Sequence, residues 1–255
     1  MVDGSSSRVA LRDIVIVGGG CYGSFYAGQL ERAREQGRAD YRQLLIVDRN
    51  SECEFASRLG TGPFRRLVEE EWSAFFDQFL GAASAPAPGE PGDAIVPSPL
   101  MPHLMSEWLF RRAQLRWPGR PIEICAPPVG PGTPYDVSAP DGTRYISYAD
   151  WLCPTHCIEP ALCPVIRAPR TWDIADALQR LSPRIPTTDP TAGPVLFQCL
   201  HRVFGVGMFD VASVLDGENV MVKAGLQGSP VDILVGTISH CHGAVSLLRL
   251  GAANS

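Results

Sequence analysis

Three cysteines fall within eleven residues, Cys153, Cys157 and Cys163, in the run WLCPTHCIEPALCP over residues 151–164. Thiolates are soft ligands, and three of them in a proline-stiffened loop can turn towards one centre, which points to a metal ion or an iron–sulfur cluster. The Cys-x3-Cys-x5-Cys spacing is neither the C-x2-C-x2-C string of common ferredoxins nor the paired spacing of a zinc finger. The Cys-Pro steps at Cys153 and Cys163 suit iron–sulfur ligation, because the proline turns the chain away and removes a competing N–H. A [4Fe–4S] cluster is therefore expected, with zinc as the alternative. Either wants a fourth ligand. Cys241, in His240-Cys241-His242 after an apolar run, is the first choice, followed by His240, His242, His156 and Cys199.

A second chemical signature stands near the start. The β-branched run Asp13–Val17 leads into Gly18-Gly19-Gly20-Cys21-Tyr22-Gly23, and a helical pattern follows from Ser24 to Gln36, closed by Gly37. Gly18, Gly20 and Gly23 satisfy G-x-G-x-x-G, which asks for a tight turn, close approach of backbone to a pyrophosphate, and close packing of helix on strand. Cys21 and Tyr22 fall in the same phosphate turn. Leu44–Val47 reads as the next strand and ends at Asp48, 25 positions after Gly23, where a carboxylate can accept a ribose hydroxyl. Its charge disfavours a 2′-phosphate, so NAD or FAD is expected, while Arg49 next door keeps NADP open.

Over residues 13–50 the chain resembles the Rossmann-type dinucleotide-binding superfamily. That resemblance implies an α/β fold and a cofactor site, with phosphate at Gly18, Gly20, Cys21, Tyr22 and Gly23 and ribose at Asp48, and it implies no particular reaction.

The remaining elements must carry the cysteine loop. Residues 63–80 read as helical, 81–102 as an irregular Pro/Gly/Ala-rich loop, and 103–117 as a helix before a strand at 122–125. Tyr135–Ser138 and Arg144–Tyr148, joined through Asp141-Gly142, read as a β-hairpin. Further along, 171–181 reads as helix, 195–199 as strand, 211–223 as helix, 231–235 as strand and 243–250 as a last short helix. The expectation is one Rossmann-like domain over 1–255, an open, mostly parallel sheet, with a helical and Pro-rich insertion at about 63–118. A β-hairpin and the cysteine-rich loop are inserted at about 135–170. In such a sheet the carboxyl ends of the strands line one crevice, so Cys241 and the glycine turn are expected to share a face.

Glu159 is a loop carboxylate, a base or a ligand; Arg167 and Arg170 hold an anion or cap carbonyls; His201 follows a strand into Gly205-Val206-Gly207. Composition narrows the partners. A net charge of −5 and a single lysine, Lys223, give no basic field for nucleic acid. No stretch of about eighteen uncharged apolar residues or N-terminal signal pattern is present, so no membrane and a cytoplasmic location are expected. Eight cysteines in a reducing compartment read as ligands, reactive thiols or core residues rather than disulfides. The expected function is a redox protein joining a dinucleotide to an iron–sulfur cluster for electron or hydride transfer, with a redox protein or a larger complex as partner. The alternative is a non-enzymatic subunit or nucleotide sensor with a structural zinc or iron–sulfur site.

Overall fold

The computed structural model describes residues 8–154 and 157–253. The chain divides into two compact units, one reaching Met101 and taking in Leu200–Ala212, the other formed by Pro102–Cys199 and the chain from Ser213 onward. In chain order the first unit holds β1 (Val9–Val17), α1 (Cys21–Glu35), β2 (Ala39–Asp48), α2 (Glu54–Arg58), β3 (Arg65–Glu69), α3 (Trp72–Gly81) and β4 (Ala94–Val96). The second runs through α4 (Leu104–Arg116), β5 (Ile122–Cys125), β6 (Tyr135–Ser138), β7 (Arg144–Ser147), β8 (Leu162–Cys163), β9 (Ala168–Pro169), α5 (Ile174–Leu181) and β10 (Thr191–Gln198). The strands β11 (Leu200–Val203) and β12 (Val206–Asp210) return to the first unit. Then α6 (Val211–Gly225), β13 (Val231–Ile238) and β14 (His242–Leu250) close the described chain.

In the first unit the sheet runs β11-β12-β4-β1-β2-β3. Strand β1 pairs in parallel with β2 and β4, and β2 in parallel with β3. Strands β12 and β11 extend the sheet with antiparallel pairing. Continuous burial of Ile14–Val17 and Leu44–Val47 is what a strand covered on both faces requires, and it explains why these runs do not alternate. Leu30, Ala27 and Ala33 of α1 pack with Ile14, Ile16, Leu44 and Ile46 in one core. At the edge of that core the buried carboxylate of Asp93 accepts from Arg12 Nε at 2.8 Å and Asp13 N at 2.9 Å. Burial alone would raise the Asp93 pKa; the Arg12 guanidinium and the Asp13 N–H outweigh it and hold it below its ordinary value.

Two differences from the sequence reading stand out here. Residues 65–69 form a strand before the helix, since β-paired Leu67 and Val68 lie beside Ile46 and Val47. The Pro-rich stretch contributes β4, three fully buried residues beside β1.

The second unit has its own sheet, β10-β13-β14-β7-β6, with β5 also pairing along β14. Only β10 and β13 are parallel; β14 is antiparallel to β13, β7 and β5. The expected single, mostly parallel sheet is thus replaced by two sheets, the second largely antiparallel. The cause is β14, read from sequence as a helix. A short Ala/Leu/Val run fits either state, and pairing on both sides decides for the strand. The hairpin of β6 and β7 forms with Asp141-Gly142 in its turn, where Gly142 adopts φ +84°. Helix α5 lays Ile174, Leu178 and Leu181 on Leu234, Val245 and Leu247. Among the described residues no helix is long and apolar enough to cross a membrane.

His103, at the N-terminus of α4, is buried, with Nδ1 3.3 Å from Thr237 Oγ1 and Nε2 3.1 Å from Ser246 Oγ. Burial pushes its pKa down to about 4, against a weak opposing pull from Asp141. Because the folded value lies below the unfolded one, the unfolded chain takes up a proton between about pH 6.5 and 4 that the folded chain refuses. Stability is therefore lost as pH falls through that window, by up to about 3 kcal/mol. Urea denaturation at pH 7 and pH 4.5 measures this, and His103→Gln is expected to flatten the dependence.

Candidate functional site

Each glycine of the N-terminal turn has its own physical reason. Gly18 adopts φ +84°, a conformation that disfavours any side chain, and its N–H binds Val47 O at 2.9 Å. A Cβ on Gly23 would collide with the backbone oxygen of Gly18, so α1 can lie this close to the turn only with glycine there. Gly20 is the opposite case, because a Cβ would meet nothing within 4 Å.

Gly20 is also the N-cap of α1, with no side-chain cap and no acidic residue in the first turn. The Ser24 N–H closes the first helical bond to Gly20 O, which leaves the N–H groups of Cys21, Tyr22 and Gly23 without intrahelical acceptors. Such a helix start attracts anions. Asp48 accepts from Gly19 N at 2.7 Å through Oδ2 and from Asn50 N at 2.9 Å through Oδ1, so it braces the turn and keeps lone pairs on each oxygen for further donors. Trp72, anchored by Nε1 to Val47 O at 2.9 Å, comes within 3.9 Å of the Cβ position of Gly18. Sequence reasoning passed over its place beside the turn, which nothing local to residue 72 signals.

The cysteine loop lies in the second unit. Its position is set by Glu159, a non-glycine residue at φ +50° whose side chain is buried. Oε1 accepts from Ser239 Oγ at 2.6 Å and Cys241 N at 3.3 Å, and Oε2 from His240 N at 2.9 Å. The carboxylate thus clamps the loop to the turn between β13 and β14. It is neither the solvated group nor the open base that sequence alone allows.

Around this clamp the thiols gather. Cys153 Sγ lies 3.7 Å from His242 Nε2. Cys157 Sγ accepts the Glu159 N–H at 3.4 Å, and Cys241 Sγ accepts the Trp172 indole N–H at 3.3 Å. Cys163 sits on β8 in the small hairpin with β9, whose turn closes through Arg167 N to Cys163 O at 2.9 Å. Burial raises the Cys153 pKa, and the nearby Cys157, Cys163 and Glu159 raise it further. The buried Trp151 indole N–H falls short of a formed hydrogen bond yet offsets part of that rise. Burial pushes the Cys241 thiol up to about 12 against the pull of the Trp172 N–H.

Two histidines are oriented by their neighbours. His240 Nδ1 meets Asp173 Oδ2 at 2.5 Å, and the same carboxylate caps α5 by accepting from Ala175 N at 2.7 Å through Oδ1. His242 Nδ1 meets Ser147 Oγ at 2.9 Å; that hydroxyl also lies 2.9 Å from Ala149 O and accepts from Ala149 N at 2.8 Å. If the one Ser147 proton goes to Ala149 O, the imidazole must supply its own from Nδ1, and Nε2 faces Cys153 with its lone pair. Burial lowers the His242 pKa. Asp173 and Ser147 were missed from sequence. The first carries a helix N-cap signal before Ile174, and the second carries none.

The structure therefore brings Cys153, Cys157, Cys163, Cys241 and His242 into one neighbourhood. Among the described residues, however, no three Cys, His, Asp or Glu side chains converge closely enough to hold one ion. His156 lies outside the described residues. Cys199 N binds Ile238 O at 2.7 Å in the second unit, while His201 is on β11 in the first. Arg170 reaches the Trp172 carbonyl with Nη1 at 3.4 Å, which is a capping role. The glycine turn and the cysteine loop belong to different units. None of the eight cysteines is in a disulfide.

Residues 105–251 match the family model AF_1314_C, described as an uncharacterized protein's C-terminal domain. No curated protein and no solved structure matches the chain.

Two substitutions separate the local constraints. Gly23→Ala is expected to cost about 3 kcal/mol of stability by forcing a methyl against backbone, whereas Gly20→Ala should cost no more than about 1 kcal/mol, the loss of a glycine N-cap, in the same thermal or urea unfolding. Glu159→Gln puts a donor where accepting oxygens meet Ser239, His240 and Cys241, and should lower stability by about 2 kcal/mol.

Proposed function

The chain belongs to the AF_1314_C family, whose domain covers residues 105–251, and we propose that it is a dinucleotide-binding redox protein. In this reading the parallel strands β4-β1-β2-β3 form a Rossmann-type half, and NAD or FAD sets its pyrophosphate on the turn Gly18–Gly23. The Cys21 and Tyr22 N–H groups donate to the phosphates. Asp48 accepts a ribose hydroxyl with its remaining lone pairs, and Trp72 offers an aromatic face beside the turn. The observation that carries the reading is the division of labour among the glycines. Gly18 and Gly23 are demanded by the backbone itself, whereas Gly20 borders open space at a helix N-terminus, where it caps α1 and leaves the backbone N–H groups open to an approaching phosphate.

The donor set of the cysteine loop fits a soft metal, since three thiols and an imidazole with a directed lone pair are the ligands that zinc and iron–sulfur centres take. When bound, a [4Fe–4S] centre would supply one-electron chemistry, and zinc would supply a fixed loop. The chain's own groups do the rest: Glu159 holds the loop, and Trp151 and Trp172 direct indole N–H groups towards sulfur. A reducing compartment, the cytoplasm, suits eight cysteines outside disulfides.

A second reading is favoured by one observation. The group facing Cys153 is an imidazole rather than a fourth thiol, and a Cys3His set is a structural zinc set. The chain would then be a nucleotide-binding subunit or sensor without turnover.

Titration of the purified chain with NADH and with FAD, followed by calorimetry and by tryptophan fluorescence, tests the binding. Binding by one of them is expected, and Gly20→Ala should weaken it at least about tenfold, the equivalent of 1.4 kcal/mol, while the variant stays folded with a melting temperature only a few degrees lower. Equal binding by the variant, or none by the parent chain, overturns the reading. Oxidation of reduced nicotinamide with an artificial acceptor separates the enzyme from the sensor.

A further inference from the structure

We infer that His242, through Nε2, is the fourth ligand of a zinc site whose other ligands are Cys153, Cys157 and Cys163, and that Cys241 stays outside it. This rests on the proposal that the cysteine loop holds a metal. Zinc bonds of about 2.3 Å to sulfur and 2.0–2.1 Å to nitrogen at a tetrahedral angle place the two donor atoms about 3.6 Å apart. The Cys153 Sγ to His242 Nε2 separation of 3.7 Å matches that edge. One edge of the tetrahedron is thus already set, and Cys157 and Cys163 must close on it.

The imidazole is oriented for the task. Ser147 is tied to both the N–H and the carbonyl of Ala149 and lies 2.9 Å from His242 Nδ1; with its own proton spent on the Ala149 carbonyl it receives the Nδ1 proton, and Nε2 meets sulfur with its lone pair. Metal-bound histidines commonly have their second nitrogen held in this way, and such a partner sharpens both tautomer and angle. Consecutive residues entering a strand point to opposite faces. With His242 turned to Cys153, Cys241 turns inward, where it is buried and receives the Trp172 N–H. Glu159 ties the two halves together, because the residue that sets the loop also holds the N–H groups of His240 and Cys241 just before His242.

Three sulfurs and one nitrogen are the Cys3His set of structural zinc, whereas four thiolates would suit a [4Fe–4S] cluster. Ser147 is a positioning residue in this scheme.

Metal analysis and X-ray absorption at the metal edge, on full-length protein purified without oxygen, test it. One zinc per chain with three sulfur and one nitrogen neighbours is expected, and Cys241→Ser should leave both unchanged. His242→Ala should weaken zinc binding by more than about a hundredfold, and Ser147→Ala by about ten- to a hundredfold, against a chromophoric chelator. Should His242→Ala not fold, His242→Cys decides. It should keep zinc and convert the neighbours to four sulfurs; an unchanged three-sulfur spectrum there overturns the inference. Four sulfurs in the parent protein with loss of metal in Cys241→Ser, or iron with acid-labile sulfide, also overturns it while the metal reading stands. Protein that holds neither metal, as isolated or after addition of Zn2+, sinks that metal reading itself.

Discussion

The cysteine loop owes its place to one buried carboxylate. Glu159 lies 80 residues from Ser239 in sequence, yet its two oxygens take one hydroxyl and two backbone N–H groups from the turn between β13 and β14. An unpaired carboxylate at that depth would be costly, and a turn with unmet N–H groups would be costly too. Each relieves the other, and the left-handed backbone at Glu159 is held by that mutual satisfaction. The meeting of Cys153 with the His242 imidazole depends on it, since no named strand or helix lies between β7 and β8 among the described residues.

The same logic runs through the rest of the second unit. Asp173 serves a helix start and an imidazole with one carboxylate, and Ser147 serves two backbone groups and an imidazole with one hydroxyl. Polar side chains with two duties link neighbouring segments more tightly than pairs with one, because loss of either partner exposes the other. The apolar layer of α5 on β13 and β14 buries one face of the sheet, and the polar links decide orientation.

What was legible in sequence was what is local. The strand, turn, helix and acidic stop over residues 13–48 are defined by residues a few positions apart, and each glycine's duty follows from the backbone beside it. The hairpin at Asp141-Gly142 is equally local. Strand β14 was not legible, because Gly243-Ala244-Val245 followed by Leu247 and Leu248 has no decisive period and takes its state from β13, β5 and β7. Strand β4 hid in a Pro/Gly-rich context where only its place against β1 makes it a strand. The prominence of the three cysteines was visible at once. The partner of Cys153 was not, because Cys153 and His242 are 89 positions apart and nothing between them signals the contact.

Asp48 and Gly20 sit in the same motif but answer to different pressures. Asp48 braces the turn through Gly19 and Asn50, so folding alone is reason enough for a carboxylate at that position. Gly20 has no neighbour to accommodate and starts α1, so the fold asks of it only what a helix N-cap asks, a place that serine, threonine, asparagine and aspartate fill as well. Under the proposed nucleotide binding, a side chain at position 20 is excluded by the ligand and not by the fold.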